Sequence, residues 1–585
     1  MAARMMRDRL GLIVFAVVMA AGAIAGGVAT RRARRVPEVS QGSSLPPAER
    51  QIEGDYDDAL AVVDENYADE IDYEKASQAA IQGMLSTLDP HSTFFTKADF
   101  DRLQQDHASS FYGIGVTILR HRDAVYVQSV VHDTPADRAG LRYGDKILEV
   151  DGKDAREWTG AQVSKAVRGE RGETVTIKVE RAGSQAPLYF RIVRDAVPQP
   201  TIRTAFMLRP GTGYVALTGG FSSSTSDELE KALDTLGRQG MTQLVLDLRN
   251  NPGGLLPQAI KVAGQFLPRG YPVVSVRGRT ENAQTLLYKN TEFDGATDYP
   301  IVVLINRNTA SASEIVAGAI QDHGRGLIVG ETSFGKGLVQ HVFTLPYGYG
   351  LTLTTQKYYT PYGRSIQRDY SAGSLYDYYV RHDATDEPAP NAPQSPTLPA
   401  VPGDAAAPPA QPTPQPAPKL PPAGPAVRTA AGRVFYGGGG ITPDAEVKPL
   451  DVASPARVKI YEAAFHFTRQ LAAGQIAGLE NYRVERVLYG QQPRATDLPV
   501  NDRVLEAFKD FVRKDEGTFG LTPAQLDAEA DYARVRVREE IVTAAYGIEV
   551  GLRTLLDSDP QMQRALEAFP DARRLAEMVR ASSTS

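Results

Sequence analysis

Residues 301–321, IVVLINRNTASASEIVAGAIQ, decide the fold class. The run Ile301–Ile305 is continuously apolar, which is typical of a strand buried on both faces. Residues Ser313–Gln321 have the apolar spacing of a helix. A buried strand that turns directly into a helix is the unit of a largely parallel sheet covered by helices.

The same unit recurs between about Thr201 and Arg381. Residues 244–248 predict a second buried strand, residues 258–266 a helix, and residues 327–329 a third strand. We therefore expect an α/β multidomain protein. Its expected parts are residues 1–35 as a signal peptide or membrane anchor, 49–110 as a helical region, 111–197 as a small β-rich domain, 198–452 as the α/β core with a Pro-rich insertion at 386–427, and 453–585 as a helical region.

Composition excludes several classes of protein. The chain has 585 residues, which suggests about four domains. It has no cysteine, which excludes disulfides, thiol nucleophiles, thiolate zinc sites and iron–sulfur clusters. A net charge of −6 gives no electrostatic reason to bind nucleic acid.

Residues 10–30 are uncharged and mostly apolar, so they are long enough to cross a bilayer. Arginines flank both sides of this segment, so the positive-inside rule leaves its orientation open. A cleaved signal peptide and an uncleaved anchor both fit the pattern.

The β-rich block opens with Tyr112-Gly113-Ile114-Gly115-Val116. Two glycines there would present backbone N–H groups to an anion, and a neighbouring edge strand would pair with an extended peptide. The block resembles a PDZ domain over about 85 residues. The resemblance implies that Gly113 and Gly115 shape the carboxylate site, while Ile114 and Val116 line the pocket for the last side chain. The alternative is a small β-domain whose glycines only make turns.

Ser311 lies in the turn between the strand at 301–305 and the helix that follows. A serine at this position is exposed, and the amino end of the helix favours developing negative charge. The alternative is structural, because Ser311 and Glu314 also match a capping box.

Lys336 lies between two glycines, 25 residues after Ser311. Burial would disfavour its charged form, and a lysine that activates a serine must be neutral. If this stretch is a strand, Gln340 shares a face with Lys336 and can orient its amine. The alternative is an ordinary solvated lysine.

Residues 247–254, DLRNNPGG, end a buried strand in a glycine-rich turn. An N–H group of this turn, together with the amide of Ala312, would form an oxyanion hole. The alternative is a tight turn without a chemical role.

Together these segments resemble the carboxyl-terminal processing peptidases, also called tail-specific proteases. The resemblance covers about residues 67–447 and rests on LDPHS at 88–92, the PDZ-like block, DLRNNPGG at 247–254, TASASE at 309–314, GET at 330–332, FGKG at 334–337, KYYTP at 357–361, GRSIQ at 363–367 and GITPD at 440–444. It implies a crotonase-like protease core with an inserted PDZ domain.

By position, the resemblance makes Ser311 the nucleophile, Lys336 the general base and Gln340 its orienter. It places the oxyanion amides at Ala312 and at one of Gly253 or Gly254. An arginine of the PDZ domain transmits the peptide-bound state in this family, and Arg168 is our candidate for it.

The resemblance thus implies a serine endopeptidase that captures the free, apolar carboxyl tail of a protein substrate. It further implies a cell-envelope location, periplasmic or extracytoplasmic, with the protein anchored by residues 10–30 or secreted, and the possibility of a homodimer. No cofactor is required. Metal ligation is not expected, because the histidines show no paired spacing. Two other functions stay open: a non-catalytic PDZ scaffold, and an envelope assembly protein that works through the Pro-rich insertion and the helical end.

Overall fold

The structure is a computed structural model that describes residues 47–106, 110–279, 285–293, 298–370, 424–429, 432–491, 493–494 and 496–584. The apolar segment at 10–30 and most of the Pro-rich insertion lie outside these residues. Among the described helices, none has both the length and the hydrophobicity needed to cross a membrane. The chain divides into two compact units, residues 1–80 and 81–585.

The first unit is helical where it is described. It contains α1 (Pro47–Asn66) and the first residues of α2 (Tyr73–Ser86). The hydroxyl of Tyr73 donates a hydrogen bond to Asp64, which joins the two helices.

The second unit opens with β1 (Thr93–Phe95) and α3 (Lys97–Asp106), so the region predicted as helical also contains a strand. The β-rich domain follows. Its elements are β2 (Ser110–Gly113), β3 (Val116–Arg120), β4 (Val125–Val130), α4 (Pro135–Ala139), β5 (Lys146–Val150), β6 (Lys153–Asp154), α5 (Gly160–Val167), β7 (Thr174–Glu180), β8 (Leu188–Val193) and β9 (Asp195–Pro198).

The main sheet of this domain has the order β3-β4-β5-β7-β8, with β6 paired to β5. Strand β3 therefore lies at the edge of the sheet. Apolar residues from β4, β5, β7 and α5 form the domain's own core. The domain is rich in β-strands, as its sequence predicts.

Among the described residues, the α/β core contains two large sheets and one small two-stranded sheet. Its elements are β10 (Ile202–Arg209), β11 (Thr212–Leu217), α6 (Thr225–Arg238), β12 (Gln243–Asp247), α7 (Leu256–Gly264), β13 (Pro272–Gly278), β14 (Leu286–Lys289), β15 (Ile301–Ile305), α8 (Ala312–Asp322), β16 (Leu327–Gly330), β17 (Leu338–Thr344), β18 (Gly350–Tyr359), β19 (Ala426–Arg428), β20 (Val434–Tyr436) and β21 (Ala445–Glu446).

The first sheet has the order β10-β11-β12-β15-β16-β21 and is parallel from β11 onward. This confirms the predicted parallel sheet. Because β21 pairs with β16, the chain returns to this sheet after the Pro-rich insertion. The second sheet is antiparallel and brings together β1, β13, β14, β17 and β18.

The carboxyl-terminal region contains α9 (Pro455–Ala472), α10 (Asp502–Lys514), α11 (Glu516–Phe519), α12 (Pro523–Ala528), α13 (Ala530–Tyr546), α14 (Ile548–Leu556), α15 (Pro560–Glu567) and α16 (Phe569–Thr584). Its helices belong to different cores. Helices α9, α10, α12 and α13 share a core of their own. Residues of α15 and α16 instead pack against the first sheet, on the face opposite α7 and α8. The end of the chain thus completes the cover of the core sheet.

Candidate active site

Ser311 lies directly before α8, at the N-cap position predicted from the sequence. Its backbone has φ 56° and ψ −116°, whereas an ordinary N-cap residue is extended. A non-glycine residue in this region of the Ramachandran plot is strained, and such strain is concentrated at functional sites. The geometry therefore favours a role beyond capping.

Glu314 joins the serine turn to the lysine segment. Its side chain is fully buried, and its carboxylate accepts hydrogen bonds from the N–H groups of Ser311 at 2.8 Å, Gly335 at 2.7 Å and Lys336 at 2.8 Å. The hydroxyl of Ser333 donates a fourth at 2.5 Å. Burial raises the pKa of Glu314, and these hydrogen bonds oppose that shift.

The Glu314 contact to Ser311 is one half of the predicted capping box. The other contacts reach segments about twenty residues farther along the chain, which sequence spacing did not indicate. The same carboxylate oxygen accepts the N–H groups of Ser311 and Lys336. The two backbones are therefore close together.

Asn251 also supports the serine turn. Its role was not predicted from the sequence. Its side chain is fully buried. Its backbone carbonyl accepts from Ala310 N at 2.9 Å and from the Ser313 hydroxyl at 3.2 Å. Its side-chain amide donates to the carbonyl of Leu217 at 2.7 Å. Asn251 thus ties the glycine-rich turn to the end of β11 and to the serine turn.

Gly253 contacts the serine turn so closely that only glycine fits. It has φ 97°, and a Cβ built there would lie 2.6 Å from the Cβ of Ser311. Its N–H donates to Asn251 Oδ1 at 2.9 Å. The N–H groups of Gly254 and Ala312, by contrast, have no acceptor among the described residues. The geometry favours Gly254 over Gly253 as the partner of Ala312 in an oxyanion hole.

Lys336 precedes β17 and so is not part of the strand. Its side chain is partly buried, and its amine has no hydrogen bond or ion pair in the part of the chain that the structure describes. Burial lowers the pKa of Lys336, although the charges of Glu314 and Asp89 act in the opposite direction. The lysine therefore has the environment of a neutral amine rather than of a solvated surface charge.

Gln340 lies on β17, and the alternation argument for it fails. Since Lys336 lies outside the strand and a β-bulge separates Val339 from Gln340, the two side chains do not follow a common period-two register. The Nε2 of Gln340 is buried without a partner, and no hydrogen bond joins it to Lys336 among the described residues. Its orienting role stays a prediction.

The turn at residues 88–92 lies beside the lysine. Asp89 accepts hydrogen bonds from the N–H groups of His91 and Ser92 and from the Ser92 hydroxyl, which in turn accepts from Thr354 N at 3.1 Å. Burial lowers the pKa of His91 to about 4, and the charge of Lys336 acts in the same direction. The turn therefore belongs to the surroundings of the amine.

The candidate tail-binding residues occupy the start of the PDZ-like domain. Gly113, Ile114 and Gly115 are buried, and Ile114 is part of the domain core. Val116 is partly buried on the edge strand β3. Arg168 is exposed at the end of α5, and nothing in the structure tests its regulatory role.

A positively charged group suits the carboxyl end of a helix, and His323 follows α8 directly. It lies at the C-cap of α8, where Nε2 donates to the carbonyl of Pro272 at 2.7 Å. Burial lowers the pKa of His323, which favours the neutral ring.

Comparisons with known proteins match two parts of the chain. The model of peptidase family S41 matches residues 211–380, and that of the PDZ domain matches residues 126–181. A carboxy-terminal-processing protease of Bartonella bacilliformis is 39% identical over 300 residues, covering 51% of this chain and 68% of its own.

The carboxy-terminal processing protease CtpB of Bacillus subtilis is 31% identical over 373 residues, covering 61% of this chain and 75% of the relative. Among solved structures, a photosystem II D1 C-terminal processing protease is 34% identical, covers 52% of this chain and 81% of its own, and has a TM-score of 0.32. The extent of these sequence matches shows that the chain belongs to the carboxy-terminal processing proteases of peptidase family S41 and carries a PDZ domain.

Proposed function

We propose that this protein is a serine endopeptidase in which Ser311 and Lys336 form a catalytic dyad on a crotonase-like core. Ser311 attacks a peptide carbonyl while Lys336 removes the hydroxyl proton. Lys336 then gives this proton to the leaving amine of the substrate, which departs from the tetrahedral intermediate. The acyl-enzyme that remains is hydrolysed by water. The N–H groups of Ala312 and Gly254 stabilise the oxyanion.

One observation carries this proposal: a single buried carboxylate oxygen of Glu314 holds the backbones of both Ser311 and Lys336. A lysine side chain is long enough to bridge that separation. Burial lowers the pKa of Lys336 and so favours the neutral amine, which is the form that a base requires. Gln340 is the side chain we assign to orient the amine.

The PDZ domain supplies substrate recognition in this proposal. The edge position of β3 leaves a row of backbone groups for an extended peptide, and α5 packs nearby. We propose that Gly113 and Gly115 shape the site for the terminal carboxylate, with Val116 beside the last, apolar side chain. The substrate class is therefore unfolded protein with a free apolar carboxyl tail.

The test is cleavage of an unfolded reporter protein with an apolar carboxyl tail, compared with the same reporter carrying an amidated tail. We expect Ser311→Ala and Lys336→Ala each to reduce cleavage by at least about 1,000-fold while tail binding is retained. Lys357→Ala is the matched control, because Lys357 is an exposed lysine on the neighbouring strand β18. Cleavage that survives in Ser311→Ala would reject the assignment of the nucleophile.

The same assay separates the rival functions. Tail binding without cleavage by the unmodified protein would identify a PDZ scaffold.

We also propose an extracytoplasmic location, which is supported by the uncharged segment at 10–30. Protease treatment of intact spheroplasts should digest the protein if its body lies outside the cytoplasm.

A further inference from the structure

A cluster of titratable side chains lies where the PDZ domain meets the carboxyl-terminal helices. His121 lies in the turn between β3 and β4. Glu462 and His466 are four residues apart on α9, so they share one face of that helix. None of the three takes part in the proposed reaction.

The potential ligand atoms of this cluster converge. The Nδ1 of His121 lies 3.1 Å from Glu462 Oε2, and the Nε2 of His466 lies 3.8 Å from the same oxygen. One ligand atom from each residue falls within 4.8 Å of the others. Asp123 adds a further oxygen, 3.9 Å from His466 Nε2.

His121 is buried and the other two residues are partly buried, and the polar atoms of the cluster are incompletely paired. His121 is only 1% exposed, and its ring stacks on Phe465 with the centroids 3.6 Å apart. The Nε2 atoms of His121 and His466 have no hydrogen-bond partner among the described residues. Buried polar atoms normally have partners. An ion held by His121 Nδ1, Glu462 and His466 Nε2 would supply the missing partner of His466 Nε2, whereas His121 Nε2 would stay unpaired.

Two imidazoles and a carboxylate are the ligands that zinc and similar ions prefer, whereas calcium and magnesium prefer oxygen alone. Zinc lies about 2.0–2.2 Å from such ligands, which puts tetrahedral ligand atoms roughly 3.3 Å apart. The contact between His121 and Glu462 already has this spacing. The Nε2 of His466 needs to approach Glu462 Oε2 by about half an ångström from its 3.8 Å separation.

We propose that His121, Glu462 and His466 bind one divalent transition-metal ion of the zinc class, which cross-links the PDZ domain to α9. Asp123 is close enough to serve as a fourth ligand. The ion has a structural role, so this inference is independent of the dyad. This proposal departs from the expectation that no metal is bound, which considered only the sequence spacing of the histidines. His121 and Glu462 are 341 positions apart in the chain.

The test titrates the full chain, carrying Ser311→Ala to prevent self-cleavage and stripped of metal by a chelator, with Co²⁺ alone. We expect one ion per chain, the visible absorption of Co²⁺ in a low-coordinate nitrogen and oxygen site, and its loss when Zn²⁺ is added. His466→Gln and Glu462→Gln should each weaken binding at least tenfold.

The matched control is His132→Gln. His132, Asp133 and Asp137 form a second cluster in the same domain, but the side chain of His132 is 59% exposed. This variant should bind Co²⁺ normally. Absence of uptake, uptake unchanged in His466→Gln, or loss of uptake only in His132→Gln would each overturn the proposal.

Hydrogen exchange distinguishes loss of ion binding from misfolding of a variant. In the unmodified cluster, Zn²⁺ should slow exchange in residues 116–130 and in α9. At 100 times the dissociation constant, the ion should shift the unfolding equilibrium about 100-fold. In Glu462→Gln, a tenfold loss of affinity should reduce that shift to about tenfold or less at the same ion concentration, and the slowing of exchange should fall with it. Glu462 is the most exposed of the three ligands, so this substitution disturbs packing the least. Slowed exchange confined to other segments would contradict the site.

Discussion

The serine side and the lysine side of the candidate site are held in different ways. Ser311 is fixed by a strained backbone, by the carboxylate of Glu314 and by the close contact with Gly253. Lys336 is fixed only through its backbone, and its amine has no polar partner among the described residues. In the proposed dyad, the serine turn is therefore held by more contacts than the lysine side chain.

Glu314→Gln changes the carboxylate that holds both the Ser311 turn and the Lys336 segment. The amide of glutamine has a single acceptor oxygen, so one of the two donor pairs, Ser311 with Lys336 or Ser333 with Gly335, faces an NH2 group instead. Because small displacements of reacting groups are costly, we expect cleavage to fall about 100-fold. The measurement is kcat/KM on the unfolded reporter.

The control for this variant is Glu230→Gln, which makes the same change at an exposed position on α6. It should leave cleavage unchanged. Normal turnover by Glu314→Gln would mean that the two segments are positioned without the carboxylate.

Arg364→Met tests the support of the nucleophile helix. Arg364 is buried and forms an ion pair at 2.5 Å with Asp322, the last residue of α8, which is also buried. Removing one partner leaves an uncompensated buried charge, so we expect a loss of about 3–5 kcal/mol in the free energy of unfolding.

Denaturant unfolding measures that loss, and Arg513→Met is the reference. Arg513 pairs with Asp510 on an exposed helix surface, where an ion pair contributes about 1 kcal/mol or less. Equal losses in the two variants would show that burial of the Arg364 pair is unimportant.

Gln340→Leu tests whether the side chain of Gln340 orients Lys336. Since Gln340 Nε2 is buried without a partner, the substitution should change the free energy of unfolding by less than about 1 kcal/mol. Cleavage should nevertheless fall roughly tenfold if the amide orients Lys336 during reaction. A variant that keeps full activity would remove Gln340 from the site.

The features of the site that depend on neighbouring residues in the sequence could be predicted, whereas those that depend on tertiary contacts could not. The strand at 301–305 was predicted with both ends correct, because a continuous apolar run between polar turns is a local signal. The position of Ser311 before the helix was predicted for the same reason.

The remaining features depend on tertiary contacts that leave no local pattern. Glu314 looks like a capping residue, yet three of its four hydrogen bonds go to residues 333–336. The bulge beside Gln340 breaks the alternation on which its placement depended. Asn251 is an ordinary turn residue in sequence and becomes a buried link only in the fold.

Asp89→Asn gives the smallest expected effect and addresses the lysine directly. The charge of Asp89 raises the pKa of Lys336 and so opposes the effect of burial. Removing that charge should lower this pKa further. Because the reaction requires a neutral amine, a larger fraction of Lys336 is then active at a given pH. The acidic limb of kcat/KM should therefore move to lower pH, by less than about one unit.

Asparagine keeps the side-chain oxygen that accepts the N–H groups of His91 and Ser92, so the turn should persist. Asp101→Asn, an exposed carboxylate on α3, should leave the pH profile in place. A limb that moves to higher pH in Asp89→Asn would mean that Lys336 is not the group whose deprotonation limits cleavage. In that case the base must be sought elsewhere around Ser311, because the nucleophile turn is held independently of Asp89.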